Sequence, residues 1–262
     1  MTTGLSYAGT VSGTTSYITQ IATMAVVQET DPAFLVILPQ MITYAENRIY
    51  RDLDFLFTSV SNTSYSVALN TRTITVPSGS NFASGAPYGG GVLVVAEQIN
   101  LLTPAGSTNA ETSTRVPLLP TTKEFLDAVY GSSALIGQPQ YFCPFDDYTF
   151  LVGPFSNATY TVEIVGTFRP FSLGNGSNNT STTTFISLYL PDLFIMASMV
   201  YISAYQRNFS SSMANDPQMP INYEMQYQAL LKSALSEENR KKFEAAAWSS
   251  QSTSPTATTT RG

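Results

Sequence analysis

Hydrophobic positions recur at helical spacing in two separated parts of the chain and at strand spacing in between. Thr14 or Thr15 can cap a first helix running to about Val27, with Tyr17, Ile18, Ile21 and Met24 along one face. Gln28 to Thr30 break it, and Asp31-Pro32 opens a second helix on which Phe34, Leu35, Leu38, Ile42, Ala45 and Ile49 run to about Leu53. Pro39 is expected to kink that helix. Two amphipathic helices joined by a few residues predict an antiparallel pair that needs further structure to cover it.

From Phe55 to Pro170 the period changes to two. Thr71–Pro77, Val92–Val95, Phe150–Val152 and Tyr160–Val165 are β-rich and bounded by Gly, Pro and Asn, which predicts an antiparallel β region. One short helix, Lys123 to Tyr130, is predicted inside it, capped by Thr121 or Thr122 and ended by Gly131. Residues 79–91 and 173–184 read as long Gly/Ser/Asn loops. Helices return at Pro191-Asp192, whose apolar run to Tyr205 is interrupted by Ser198 and Ser203 and falls short of the roughly 20 residues a bilayer requires. The last helix is predicted over Pro220 to Trp248, with Tyr223, Tyr227, Leu230, Leu231, Ala234 and Leu235 as its stripe. On it, Glu237 and Glu238 face Lys241 and Lys242, and Arg240-Lys241-Lys242 reads as a solvated face.

The predicted class is therefore α+β: an antiparallel helix bundle formed by the N- and C-terminal helices, an inserted antiparallel β domain, and an extended C-terminal tail. The boundaries are a flexible N-terminus at 1–13, helices at 14–54 and 185–248, the β insertion at 55–184, and a Ser/Thr tail at 249–262. The tail is too polar to order itself and fits a segment that folds on binding.

Composition narrows the function. Charged residues are 11% of the 262, against about a quarter in an ordinary soluble domain, while 43% are hydrophobic, so the chain folds behind a neutral-polar surface. Such a surface suits extensive subunit contacts, because charge is depleted at interface cores. The net charge of −6 argues against a basic nucleic-acid grip, and the absence of histidine removes the commonest general base and every Ser/His or Cys/His dyad. The start of the chain lacks the basic and apolar regions of a signal peptide. Asn62, Asn157 and Asn208 begin Asn-x-Ser/Thr triplets of the kind this composition produces by chance. Cys143, between Phe142 and Pro144, reads as buried strand filler.

No phosphate-binding loop, dinucleotide fingerprint or nucleophile elbow is present. Asp146-Asp147 is a paired carboxylate in form, but adjacent strand residues face opposite ways, and a hairpin turn between Tyr141-Phe142 and Thr149-Phe150 explains it more simply. Arg48, Arg51, Asp52 and Asp54 at the end of the second helix read as local ion pairing beside the helix dipole.

Against this background, Tyr44-Ala-Glu-Asn-Arg-Ile-Tyr-Arg-Asp-Leu53 resembles the Ala-Glu-x-x-Ile-x-Arg-x-Leu stretch of head–tail adaptor (connector) proteins of short-tailed bacteriophages. Leu119–Phe125, Tyr141-Phe142, Tyr160–Arg169 and Leu190–Phe194 are similar to the middle of that family, in the same order. Tyr223-x-x-x-Tyr227-x-x-Leu230, Ser236–Arg240 and Ala247-Trp-Ser249 resemble its C-terminal helix and tail. The loops at 79–91 and 173–184 are longer than the family's, and the charge is lower.

The resemblance implies a homo-oligomeric ring, dodecameric, at the head–tail interface of a virion assembled in the host cytoplasm. Its partners would be the portal protein above and the tail nozzle or tail fibres below, with DNA passing through the centre without sequence-specific binding and no membrane involved. It implies no catalysis and no cofactor. Twelve copies at −6 each would carry −72 formal charges, a conduit in which DNA slides. The portal-binding segment it implies is the tail, with Trp248 as anchor and Ser249, Ser250, Gln251, Pro255, Thr258 and Arg261 along it. The competing readings are a receptor- or carbohydrate-binding tail component, suggested by the aromatic β region with Asp146-Asp147, another minor structural protein of the particle, and, remotely, an enzyme.

Overall fold

The computed structural model describes residues 4–8, 14–83, 90–173, 183–206 and 218–247. In chain order these form β1 (Gly4–Ser6), β2 (Thr14–Ser16), α1 (Tyr17–Ala25), α2 (Pro32–Asp52), a 3₁₀ turn (Leu56–Thr58), β3 (Ser59–Val67), β4 (Thr73–Thr75) and β5 (Gly91–Thr103). There follow β6 (Thr114–Pro117), β7 (Leu119–Pro120), α3 (Lys123–Tyr130), β8 (Ile136–Gly137), β9 (Tyr141–Pro144), β10 (Thr149–Gly153), β11 (Phe155–Ser156) and β12 (Tyr160–Pro170). The described chain closes with α4 (Phe185–Tyr189), α5 (Pro191–Gln206) and α6 (Met219–Ala247). The architecture is mixed α+β.

The first four helices each begin where a side chain satisfies a free N–H group. Asp31 accepts the Ala33 N–H at 2.9 Å at the start of α2, and Thr122 accepts the Phe125 N–H at 3.3 Å at the start of α3. Thr14 and Thr15 do not cap α1: both lie in β2, and Ser16 holds the cap by accepting the Thr19 N–H. β2 pairs in parallel with β1, so Gly4–Ser6, expected to be loose, is a buried strand with Leu5 only 1% exposed. α2 runs through Pro39 without interruption, and the Thr43 hydroxyl donates to the Pro39 carbonyl at 2.9 Å. The carbonyl that Pro39 leaves without a donor belongs to Leu35, which is 38% exposed and open to water. α4 is an addition to the sequence-based outline. Thr184 and Ser187 form its reciprocal capping box.

Eight strands form two four-stranded sheets, β3-β12-β5-β6, antiparallel throughout, and β4-β10-β9-β7, in which only β7 and β9 run parallel, while β1–β2 and β8–β11 are parallel two-stranded pairs, so the β region is antiparallel only in the main. β12 is the centre of the first sheet and pairs with β5 from Val162 opposite Leu101 to Pro170 opposite Gly91. Its register shifts on either side of Gly166 and Thr167, where the backbones approach too closely for a side chain: a Cβ on Gly166 would run into the Val95 carbonyl oxygen and lie 3.1 Å from the Ala96 Cα. Gly166→Ala is expected to cost about 1–3 kcal/mol by forcing these strands apart. Thermal denaturation checks it, and an unchanged midpoint would refute the close approach.

Two large apolar cores result, beside a small cluster of Leu126, Cys143 and Leu151. One lies among the helices, where Tyr17, Ile21, Leu38, Ile42, Ile49, Phe194, Ile202 and Tyr227 come from both ends of the chain. The other lies within the sheets, where Val67, Ile74, Phe82, Ile99, Leu101, Val162 and Ile164 are fully buried. Phe57 packs against both, stacked on Phe185 at 4.1 Å and edge-on to Phe168 at 6.2 Å, so the 3₁₀ turn joins them. No helix among the described residues is long and apolar enough to cross a membrane.

Candidate functional site

The end of α2 meets α6 through a set of polar contacts that the sequence placed on a single helix. Arg48 donates through both terminal nitrogens to Glu224, at 2.7 and 2.5 Å, and its guanidinium lies 4.3 Å from the centre of the Tyr227 ring. The Tyr227 hydroxyl donates to Asp52 Oδ2 at 2.7 Å, while the local Arg48–Asp52 pair is longer, 3.8 Å. Asp54 pairs with Lys242 rather than with a neighbour on its own segment. The expectation of purely local pairing is therefore corrected: an apolar stripe on each helix brings the acids and bases of α2 against those of α6. Arg48 holds the Glu224 carboxyl below the usual carboxylate range, and burial together with the Asp52 carboxylate pushes the Tyr227 hydroxyl up.

Further along α6 the predicted stripe is corrected as well. Leu235 is 44% exposed, and Glu238 is buried in line with Tyr227, Leu231 and Ala234. Glu238 takes the Lys241 ammonium at 2.7 Å and the Leu56 N–H at 3.4 Å, so it ties α6 to the 3₁₀ turn. Lys241 also pairs with Glu237 at 2.9 Å. With Lys242 on Asp54, only Arg240 of the basic run stands without an acidic partner among the described residues. α6 is thus fixed at Glu224, Tyr227, Glu238 and Lys242. It ends at Ala247, one residue before Trp248. Trp248, Ser249, Ser250, Gln251, Pro255, Thr258 and Arg261 lie outside the described residues, as do residues 84–89 and 174–182 of the two Gly/Ser/Asn loops.

Carboxylates buried elsewhere behave in two ways. Glu163, on β12, accepts from Ser61 Oγ at 2.8 Å, Asn100 Nδ2 at 3.0 Å and Arg115 Nε at 2.8 Å. Burial alone would push its carboxyl up, but these three donors hold it below the usual range, so it serves the sheet as a satisfied strut. Glu46, on α2, is 3% exposed, and its Oε1 accepts the Leu173 N–H at 3.1 Å. Its Oε2 and the hydroxyls of Tyr17 and Tyr50 are buried without partners, and burial pushes the Glu46 carboxyl up to about 7 despite the opposing pull of Ser172 and Leu173. A glutamate flanking Ile42, Ala45 and Ile49 on an apolar stripe was the signal for this group.

Asp146 and Asp147 occupy the hairpin turn between β9 and β10, where Asp146 Oδ1 accepts the Tyr148 N–H at 2.8 Å. Phe145 and Tyr148 beside them are 57% and 38% exposed. Cys143 is buried against Leu126 and Leu151, and burial pushes its thiol up. No group of three or more metal-ligating side chains occurs among the described residues.

One concavity joins the two cores. A cavity of about 210 Å³ opens where the end of α2 meets β5 and β12; its lining includes Leu53, Phe55, Val94 and Phe168, together with Arg51 and Arg169. Neither arginine has an acidic partner among the described residues, and Arg169 reaches only Asn47 Oδ1, at 3.5 Å. Asp54, also on the wall, is neutralised by Lys242. The cavity is smaller than the roughly 300–1,000 Å³ of small-molecule sites, and is sized for one or two side chains. Arg51 was assigned to local pairing from the sequence; its separation of more than a hundred positions from Arg169 left no local signal for the pair.

No protein-family model matches the chain, and no curated protein is similar to it.

Proposed function

We propose that this chain is the subunit of a head–tail adaptor ring of a short-tailed bacteriophage, dodecameric, joining the portal to the tail nozzle and lining part of the DNA conduit. The observation that carries the reading is that two of the segments resembling that family, from opposite ends of the chain, bond to each other. Arg48 and Asp52 of the Tyr44–Leu53 stretch hold Glu224 and Tyr227 of the Tyr223–Leu230 stretch. In this reading the N- and C-terminal helices are one antiparallel bundle, the β region is its insertion, and the role is structural, without catalysis or cofactor. The fixed α6 delivers the tail at a defined place on each subunit, and Trp248 anchors it to the portal. Twelve such tails bind by avidity, each losing ordering free energy as it folds.

The test is to mix the purified chain with the portal protein of the same genome and follow assembly by sedimentation and negative-stain microscopy. A stoichiometric ring on the portal is expected. Deleting residues 248–262, anchor included, is expected to leave a folded subunit that no longer joins the portal. Undiminished portal binding by the truncated chain would remove the tail from the reading, and indifference of the intact chain to the portal would overturn the adaptor assignment, leaving glycan binding by the β region as the question to ask.

A further inference from the structure

We infer that the turn Phe145–Tyr148 of one copy seats in the cavity bearing Arg51 and Arg169 on the next copy. This rests on the reading of the chain as a ring subunit and names the contact between neighbours. The two surfaces are complementary in charge and in apolar character. The turn offers two carboxylates without ionic partners, Asp146 and Asp147, beside a phenylalanine that is 57% exposed and a half-exposed tyrosine. Opposite it, the cavity offers two arginines without acidic partners between the apolar walls of Val94 and Phe168. With Asp54 neutralised by Lys242, the cavity carries two net positive charges in a chain whose total is −6, so an acidic surface of a second copy is the matching occupant.

Both surfaces are held ready. The Phe145 N–H donates to the Thr149 carbonyl at 2.9 Å, and the Val76 N–H to the Tyr148 carbonyl at 2.7 Å, which fixes the turn on β4 and β10 before any partner arrives. Arg51 sits in the last turn of α2 and Arg169 on β12, both regular elements. Turn and cavity are different patches of the same chain, each open to solvent, so the contact is head-to-tail. Such contacts generate rings when the rotation closes. A ring held this way has every turn and every cavity occupied, and its neighbour contacts weaken with salt.

The experiment uses the full chain, alone and with portal, in two charge-reversed forms: Asp146→Arg with Asp147→Arg, and Arg51→Glu with Arg169→Glu. All four positions are on or near the surface, and circular dichroism verifies that each form folds. Each alone is expected to self-associate, or to close rings on the portal, about tenfold more weakly or worse. An equal mixture of the two forms is expected to restore assembly, since each turn then meets a cavity of opposite sign. A second measurement, Asp147→Cys with Val94→Cys in one chain, is expected to give an intermolecular disulfide ladder on oxidation. Assembly indifferent to both reversals, no rescue on mixing, or no ladder overturns the contact. If wild type joins the portal and the reversed forms do so equally, the contact falls and the adaptor reading stands. If reversal abolishes self-association of a chain that ignores the portal, the contact stands and the adaptor reading falls. A wild type that neither self-associates nor joins the portal overturns both.

Discussion

Glu46→Gln is expected to stabilise the protein at pH 8 by about 3 kcal/mol and to abolish most of its pH dependence between about 4.5 and 7. The carboxyl of Glu46 is raised from 4.5 to about 7 by burial in the helical core. A carboxyl whose folded value lies above its unfolded value binds its proton more tightly when folded. Its contribution to stability is therefore fully present below about pH 4.5 and is lost as pH rises through about 7. At pH 8 the native chain keeps a charge among Tyr17, Tyr50 and the Leu173 N–H, with Arg169 acting on Tyr50 from β12. A glutamine has the shape of the neutral acid, still accepts from Leu173, and supplies N–H donors to a pocket in which the Tyr17 and Tyr50 hydroxyl oxygens have no partners. The chain has no histidine, so few other groups titrate in this window to obscure the effect. Thermal unfolding from pH 4 to 8 measures it, at roughly 2–4 °C per kcal/mol for a chain of this size. Parallel pH profiles for the two proteins would show that Glu46 is not the responsible group.

How far the sequence leads depends on whether a feature is local. α2, α3 and α5 are written in short-range signals, Asp31-Pro32, Thr122 with Gly131, and Pro191-Asp192, and the structure forms each near its expected limits. The Asp146-Asp147 turn follows equally from local chemistry. β3 escaped because Ser-Val-Ser-Asn-Thr-Ser-Tyr-Ser-Val has almost no apolar alternation; it is a strand because β12 pairs with it from Tyr160 opposite Val67 to Thr167 opposite Ser59, with one register shift between Val162 and Ile164. β1 and β2 are three residues each and gain their order from pairing with one another and from burial of Leu5. Glu238 has the same origin: on an isolated helix it belongs with Lys242, and only the arrival of the 3₁₀ turn, with its free Leu56 N–H, turns it inward. The cavity arginines are invisible in the sequence because nothing about Arg51 announces Arg169 until β12 is laid against the end of α2. Charge type and i,i+4 pairing such as Glu237 with Lys241 were legible, whereas the partners that charges find across elements were not.

Arg48→Glu is expected to cost about 2–4 kcal/mol and to free the first half of α6 while the sheets stay folded. The native guanidinium makes two charge-assisted bonds to Glu224, covers the Tyr227 ring, and sits beside Asp52. A glutamate there faces Glu224 and Asp52 with like charge and leaves the Tyr227 ring uncovered. The estimate stays below that for a fully buried pair because the Arg48 and Glu224 side chains retain 23% and 35% exposure. Native Glu224 is held below its ordinary value, so its contribution is present above about pH 4.5 and is lost as acid protonates it; the variant lacks that acid sensitivity. Hydrogen exchange locates the change: amides of 219–235 are expected to lose protection, those of β5 and β12 to keep it. Glu224→Arg in the same chain restores an opposite-charge pair and is expected to recover part of the loss, which separates the ionic contact from any damage to packing. Equal loss of protection in α6 and the sheets would mean that the helices and the β region unfold as one unit. Because α6 carries the tail, the same substitution is expected to weaken portal assembly in the adaptor reading while the hairpin turn and its cavity remain intact, which distinguishes failure to present the tail from failure of the contact between neighbours.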